Sequence, residues 1–333
     1  MDVDNHGLLY CFMKRIRSLH NILLAIVLFM FFGCGGGGGD ANPITPSVDS
    51  FKFIVISDVH VRLPGNSDDI EYDNAKNLEN FNGALDLIKK NHLDADFVIV
   101  NGDNTGCLFS HSLENYGIGE DNPAETFKAM MDTLGKPFYV TLGNHDYQDG
   151  FDVALRQGIT ASDPSNMEAV WKKVLGIDPY YSFVHKGVRF IILNSTRGPS
   201  YAEPCPSATV ETGCKGSFDD TQMVWFENEL QNPEPCLIFI HHPVITDHNA
   251  LKTWSAAGLA MQVMDKDRFY TVVRSYKNCI KGIFVGHGHL KEKDTLEDTI
   301  PVHETASIGD AGGSSNNIRV VWMDPITGKM LTN

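Results

Sequence analysis

The sequence has no CxxC pair among its seven cysteines, which excludes a structural zinc site built from paired thiolates. It has no apolar run long enough to cross a bilayer. The longest, Ile22 to Phe32, holds 11 residues, against the roughly 20 that a membrane-spanning helix needs. Basic residues are scarce: 27 Lys and Arg stand against 42 Asp and Glu, a formal charge of −15. Such a surface repels phosphate backbones and argues against a generic nucleic-acid binder. The glycine run Gly35 to Gly39 has no strand before it and no Lys-Ser/Thr after it, so it is not a phosphate-cradling loop. There is no internal repeat and no break into two domains. The roughly 290 residues after Ser47 therefore suffice for one large domain with a sizeable core.

What is present begins with the pattern of an export signal. Lys14-Arg15-Ile16-Arg17 is basic, the 11 apolar residues follow, and Gly33-Cys34 closes the stretch. The ending resembles a bacterial lipobox, although Phe31 and Phe32 stand where smaller or aliphatic residues are usual. The expectation is an exported chain on the periplasmic or cell-surface side, held to a membrane by lipid on Cys34. Residues 1–34 then form the signal, 35–50 a flexible tether, 51–324 the main domain and 325–333 a C-terminal tail. Export also makes a disulfide between Cys205 and Cys214 an expectation, since they bracket a Pro/Gly-rich loop. Cys236 and Cys279 each begin an apolar run and would be able to pair if those runs are neighbouring strands.

Apolar runs of four to seven residues alternate with amphipathic stretches. Phe51 to Ser57, Phe97 to Val100 and Phe138 to Thr141 read as strands. Asn74 to Lys90 reads as a helix, with Leu78, Phe81, Leu85 and Ile88 on one face, and Pro123 to Leu134 as another, with Pro in its first turn. This rhythm is that of parallel βαβ units, hence an α/β fold. Further on, Lys186-Gly187 signals a hairpin between Tyr180–His185 and Val188–Leu193. Asp219 to Leu230 and about Leu259 to Tyr276 read as helices, and Cys236 to Ile240 and Gly282 to Val285 as buried strands. Val302 to Thr305 and Ile318 to Met323 read as closing antiparallel strands.

Five short motifs follow the strand-like runs: Asp58-Val59-His60, Gly102-Asp103, Gly143-Asn144-His145-Asp146, His241-His242-Pro243 and Gly286-His287-Gly288-His289. Ligands of open α/β sheets bind at the C-terminal strand edge, so residues more than 200 positions apart are able to converge there. The set offers carboxylates, an amide oxygen and imidazoles but no thiolate. Such donors suit two divalent or trivalent ions of the Mn, Fe or Zn kind. Each motif alone is weak, whereas all five in order are specific.

This ordered set resembles the calcineurin-like metallophosphoesterases over roughly Lys52 to Met323. The resemblance implies a four-layer α-β-β-α sandwich of two mixed sheets with a dimetal site at the strand C-terminal ends. It implies that Asp58, His60 and His289 bind one metal, that Asp103 bridges, and that Asn144, His241 and His287 bind the second. His241 is favoured over His242, which precedes Pro243 in the turn. The implied reaction is hydrolysis of a small phosphate ester, monoester or diester, by a hydroxide shared between the metals. His145 would protonate the leaving oxygen, and Asp146 would orient His145 by accepting its other N–H. Purple acid phosphatases of this superfamily carry a Tyr three residues after the bridging Asp; Gly106 stands there, which disfavours that branch. Arg197, in the long loop 195–218, is a candidate for steadying the phosphate. Asn194-Ser195-Thr196 matches a glycosylation triplet but ends a buried strand.

Overall fold

The computed structural model describes residues 50–61, 74–106, 122–147, 164–198, 215–244, 266–311 and 317–333. The export signal, the tether up to residue 49, Cys107 and the Cys205/Cys214 pair lie outside the described residues.

Two mixed sheets stack face to face. The first has the order β11-β10-β1-β2-β3, with β1 Phe51–Ile56, β2 Phe97–Asn101, β3 Phe138–Thr141, β10 Arg319–Met323 and β11 Met330–Thr332. The second has the order β4-β5-β6-β7-β9-β8, with β4 Tyr181–His185, β5 Val188–Ile192, β6 Cys236–Phe239, β7 Ile280–Val285, β8 Glu292–Leu296 and β9 Ile300–Glu304. Strand alternation builds the layers. Phe51, Phe53 and Val55 of β1 meet Phe190, Leu237, Phe239 and Phe284 of the other sheet, while Ile54 and Ile56 face the opposite way. That outer face of the first sheet is covered by α1 Asn74–Asn91, α2 Pro123–Asp132 and α3 Pro164–Leu175. The second sheet is covered by α4 Asp220–Glu229 and α5 Lys266–Ser275. The result is the four-layer α-β-β-α sandwich. The central strands β1, β2, β5, β6 and β7 are buried on both faces, which is why they read as continuous apolar runs.

The expected tail is a correction. Residues 330–332 form β11, paired antiparallel with β10. The chain turns back because Asp324 Oδ1 accepts from the N–H groups of Ile326 and Thr327, and Gly328 adopts φ +67°. Of the two strands expected to close antiparallel, β10 pairs antiparallel with β1 and β9 antiparallel with β8, while β9 also lies parallel to β7.

His303 of β9 is buried against Phe284, ring centroids 5.3 Å apart. Neither ring nitrogen has a hydrogen-bond partner among the described residues. Burial, with Arg319 and Lys293 nearby, pushes this imidazole down to about 3. In the unfolded chain it protonates near 6.5. The unfolded state thus binds the extra proton between those values, and stability is lost as pH falls through the window. From pH 7.5 to pH 5 the loss from this residue is expected to reach about 2 kcal/mol. His303→Phe removes that component, read as a smaller drop in urea midpoint between the two pH values.

Candidate metal centre

All nine expected site residues follow the C-terminal ends of strands. Asp58 and His60 follow β1, Asp103 follows β2, Asn144, His145 and Asp146 follow β3, His241 follows β6, and His287 and His289 follow β7. Five of them hold left-handed backbone: Asp58 (φ 52°), His60 (54°), Asp103 (49°), His287 (68°) and His289 (60°). Each costs about 1–2 kcal/mol in a non-glycine residue. The loops are held there by hydrogen bonds between them, Asp58 N to Gly102 O at 3.0 Å and His60 N to Asp103 O at 2.9 Å. Glycines allow the approach. A Cβ on Gly102 would lie 2.1 Å from His241 Nδ1, and one on Gly143 would lie 2.2 Å from Asp103 Oδ1.

The donors converge as two groups. Asp58, His60 and His289 offer atoms within 4.8 Å of one another, as do Asp103, His241 and His287. His60 Nε2 is 3.3 Å from His289 Nε2, and His289 Nε2 is 3.4 Å from Asp58 Oδ1. His241 Nε2 is 3.2 Å from both Asp103 Oδ2 and Asn144 Oδ1. Asp103 Oδ2 also lies 3.8 Å from His60 Nε2, so one oxygen faces both groups. A third group, His60, Asp103 and His145, overlaps them.

Neighbouring groups fix these side chains. The backbone N–H of His287 donates to both oxygens of Asp58 at 3.2 Å, and that of His145 donates to Asp103 Oδ1 at 2.9 Å. His241 Nδ1 lies 3.0 Å from Asn101 O, which turns Nε2 inward. Ser57 Oγ donates to Asp58 Oδ2 and lies 3.0 Å from Asn101 O. Nothing in the motifs marks Ser57 or the Asn101 carbonyl. Only their position, one residue before Asp58 and two before Asp103, hints at them.

The donor set fits cations. Burial opposes charge on Asp103, yet the imidazoles of His241, His145 and His60 hold its carboxyl well below the usual range. Burial likewise opposes an imidazolium at His241, but Asp103 and Asp58 push it up to about 9. The pocket therefore demands positive charge. Burial, with His242 and His241 beside it, pushes His287 well below its usual value and keeps it neutral. His287 Nε2 is buried with no hydrogen-bond partner among the described residues, a lone pair suited to a metal. Donor atoms about 2.1 Å from one ion stand about 3 Å apart, close to the spacings seen.

Asp146 requires a correction. His145 Nδ1 lies 3.1 Å from Gly106 O, so a backbone carbonyl takes the role expected of Asp146. The Asp146 carboxylate turns into the protein. It accepts from the N–H groups of Asn104, Thr105 and Gly143, from Asn104 Nδ2 and from Thr105 Oγ1. Burial and the Asp103 carboxylate push its carboxyl up to about 7 against the pull of those donors. Trp171 Nε1 donates to Asp146 O, pinning the same turn. Asp146 thus ties the loop after β2 to the loop after β3. Asp146→Ala leaves three buried N–H groups without this acceptor and is expected to cost about 3–5 kcal/mol in chemical unfolding. Unchanged stability with reduced turnover would restore the direct orienting role.

His241 rather than His242 faces the donor cluster. His242 Nδ1 is 2.7 Å from Ser195 Oγ. Arg197 is engaged elsewhere, by Glu168 at 2.5 Å and Asp219 at 2.7 Å, which argues against it as a phosphate clamp. Asn194 is fully buried, with Nδ2 donating to Tyr147 OH, so its triplet is closed to glycosylation.

The calcineurin-like phosphoesterase family model matches residues 51–291. The 3′,5′-cyclic adenosine monophosphate phosphodiesterase CpdA of Vibrio vulnificus (strain CMCP6) is 22% identical over 275 residues, 79% of this chain and 78% of that protein. Cyclic GMP-AMP phosphodiesterase SMPDL3A of Rattus norvegicus is 27% identical over 235 residues, 65% of this chain and 48% of its own length. The fold is similar to that of a dimetal phosphatase from Danio rerio, with TM-score 0.59 and 17% identity over 86% of this chain and 99% of that one. With the motifs gathered at the C-terminal strand ends of both sheets and most of the domain matched, the chain belongs to the calcineurin-like phosphoesterases and is a metallophosphoesterase, a hydrolase of phosphoric esters.

Proposed function

We propose that this chain hydrolyses phosphodiesters at a centre of two metal ions. The observation that carries this reading is Asp103 Oδ2, one oxygen facing both His241 at 3.2 Å and His60 at 3.8 Å. Asp58, His60 and His289 would hold one ion, Asn144, His241 and His287 the other, and Asp103 would serve both. When bound, such a pair supplies Lewis acidity that activates water and neutralises charge on phosphoryl oxygens. His145 sits beside His60, ring centroids 4.7 Å apart. With Nδ1 turned to Gly106 O, Nε2 is the nitrogen that would give a proton to the leaving oxygen. Loss of that proton leaves the Nδ1–H tautomer, which the carbonyl favours. The diester preference is supported by relatives described as phosphodiesterases, including sphingomyelin phosphodiesterase 2 of Caenorhabditis elegans, of which the chain covers 34%.

The test is hydrolysis of bis-p-nitrophenyl phosphate and p-nitrophenyl phosphate by the full chain in detergent, with Mn or Zn and then with chelator. The expected result is chelator-sensitive hydrolysis, faster on the diester. Faster monoester hydrolysis would reverse the preference. No hydrolysis of either would favour a binding protein on this scaffold. Export and lipid anchoring through Cys34 remain part of the proposal, on the strength of the basic, apolar and Gly33-Cys34 sequence. Fatty-acid labelling of the expressed chain should vanish in Cys34→Ser; labelling that persists would overturn the anchor.

A further inference from the structure

We infer that Cys236 and Cys279 form a disulfide that staples the ends of β6 and β7 opposite the metal centre, with Cys279 reacting first. Cys236 opens β6, and Cys279 directly precedes β7. Their backbones are fixed side by side, because Cys236 N donates to Cys279 O at 2.8 Å. The two sulfurs stand 3.9 Å apart as thiols, and the Cys236 S–H points at the Cys279 sulfur. A disulfide needs about 2.05 Å between sulfurs, so the two have to approach by only about 2 Å more.

The order of reaction follows from exposure. Cys236 is 1% exposed, whereas Cys279 is only partly buried and meets solvent. The contact with Cys236 also lowers the Cys279 thiol to about 7, so a large share is thiolate at neutral pH. The Cys279 thiolate attacks one sulfur of a disulfide oxidant, such as glutathione disulfide or an oxidising oxidoreductase. Its S–S bond breaks and one half leaves as thiolate. The Cys236 thiol then loses its proton and attacks Cys279 Sγ, expelling the second half. Two protein thiols become one disulfide, and the oxidant is reduced to two thiols. The cysteines lie 43 positions apart, and the loop they close contains His241. β6 leads to His241 and β7 to His287 and His289, so the staple would brace the strands that present these donors.

The full chain in detergent is incubated with oxidised glutathione under native conditions, trapped with an alkylating agent and mapped by mass spectrometry of its peptides. The expected product is one cross-linked peptide joining Cys236 to Cys279, lighter by two hydrogens than the sum of the reduced peptides. Cys236→Ser should stop at a glutathione adduct on Cys279, and Cys279→Ser should leave Cys236 unmodified. Oxidation should lower the unfolding equilibrium constant by roughly 10²–10³-fold, reversibly with reductant and not in either variant. Alkylation of both thiols after oxidation would overturn the inference. So would an adduct on Cys236 in the Cys279→Ser chain, or a cross-link that leaves the unfolding equilibrium unchanged.

Discussion

Asp103→Ala is expected to lower turnover by about 10⁴-fold or more and to leave fewer than two metal ions per chain by elemental analysis. The reason is that this carboxylate serves three partners at once. Oδ2 lies between His241 Nε2 and His60 Nε2, at 3.2 and 3.8 Å. Oδ1 accepts the backbone N–H of His145 at 2.9 Å. Losing Oδ2 removes the oxygen shared by the two donor groups and leaves Asp58 as the remaining carboxylate among the expected ligands. Losing Oδ1 frees the turn that presents His145. Asp103→Asn keeps an acceptor for that N–H but drops the charge, so it should retain the turn while still losing metal. A variant that binds two ions and works within tenfold of the parent chain would remove Asp103 from the shared position.

The parts of this fold that could be read from the sequence are those where burial dictates composition. Phe51 to Ile56 is buried on both faces, and its continuous apolar run announces a central strand. The helix at Asn74 shows its inner stripe through Phe81, Leu85 and Ile88, all buried. The metal donors were legible because each follows such a run. β8, Glu292–Leu296, was not, because an edge strand with its polar side chains partly in solvent has no apolar signature. Once β8 is present, the direction of β9 follows: a hairpin through Glu297 and Asp298, both at positive φ, reverses the chain beside β7. β11 is three residues long, too short to show a pattern. The role of Asp146 was misread for a geometric reason. His145–Tyr147 is a 3₁₀ turn, in which successive side chains project about 120° apart. Asp146 therefore points inward when His145 points toward the cluster, and adjacency in sequence is not contact.

His145→Ala should retain both metals and lose about 10²–10⁴-fold in turnover. The substitution spares what the metal donors need. The residue's backbone N–H, which holds Asp103 Oδ1, is unchanged, and Asn144 Oδ1 keeps its place 3.2 Å from His241 Nε2. What disappears is the ring held by Gly106 O at 3.1 Å. A group that protonates a leaving oxygen matters most when that oxygen leaves as a strong base. The loss should therefore be large for an alkyl phosphodiester, whose alkoxide needs the proton, and much smaller for a nitrophenyl diester, whose phenolate leaves without it. A group that only steadies the phosphate would slow both substrates equally. Comparing the two leaving groups in the metal-loaded variant separates these roles. Equal losses would keep His145 in the site as a phosphate contact and remove it as the proton donor, and a loss of metal would place it among the ligands with His60 and Asp103.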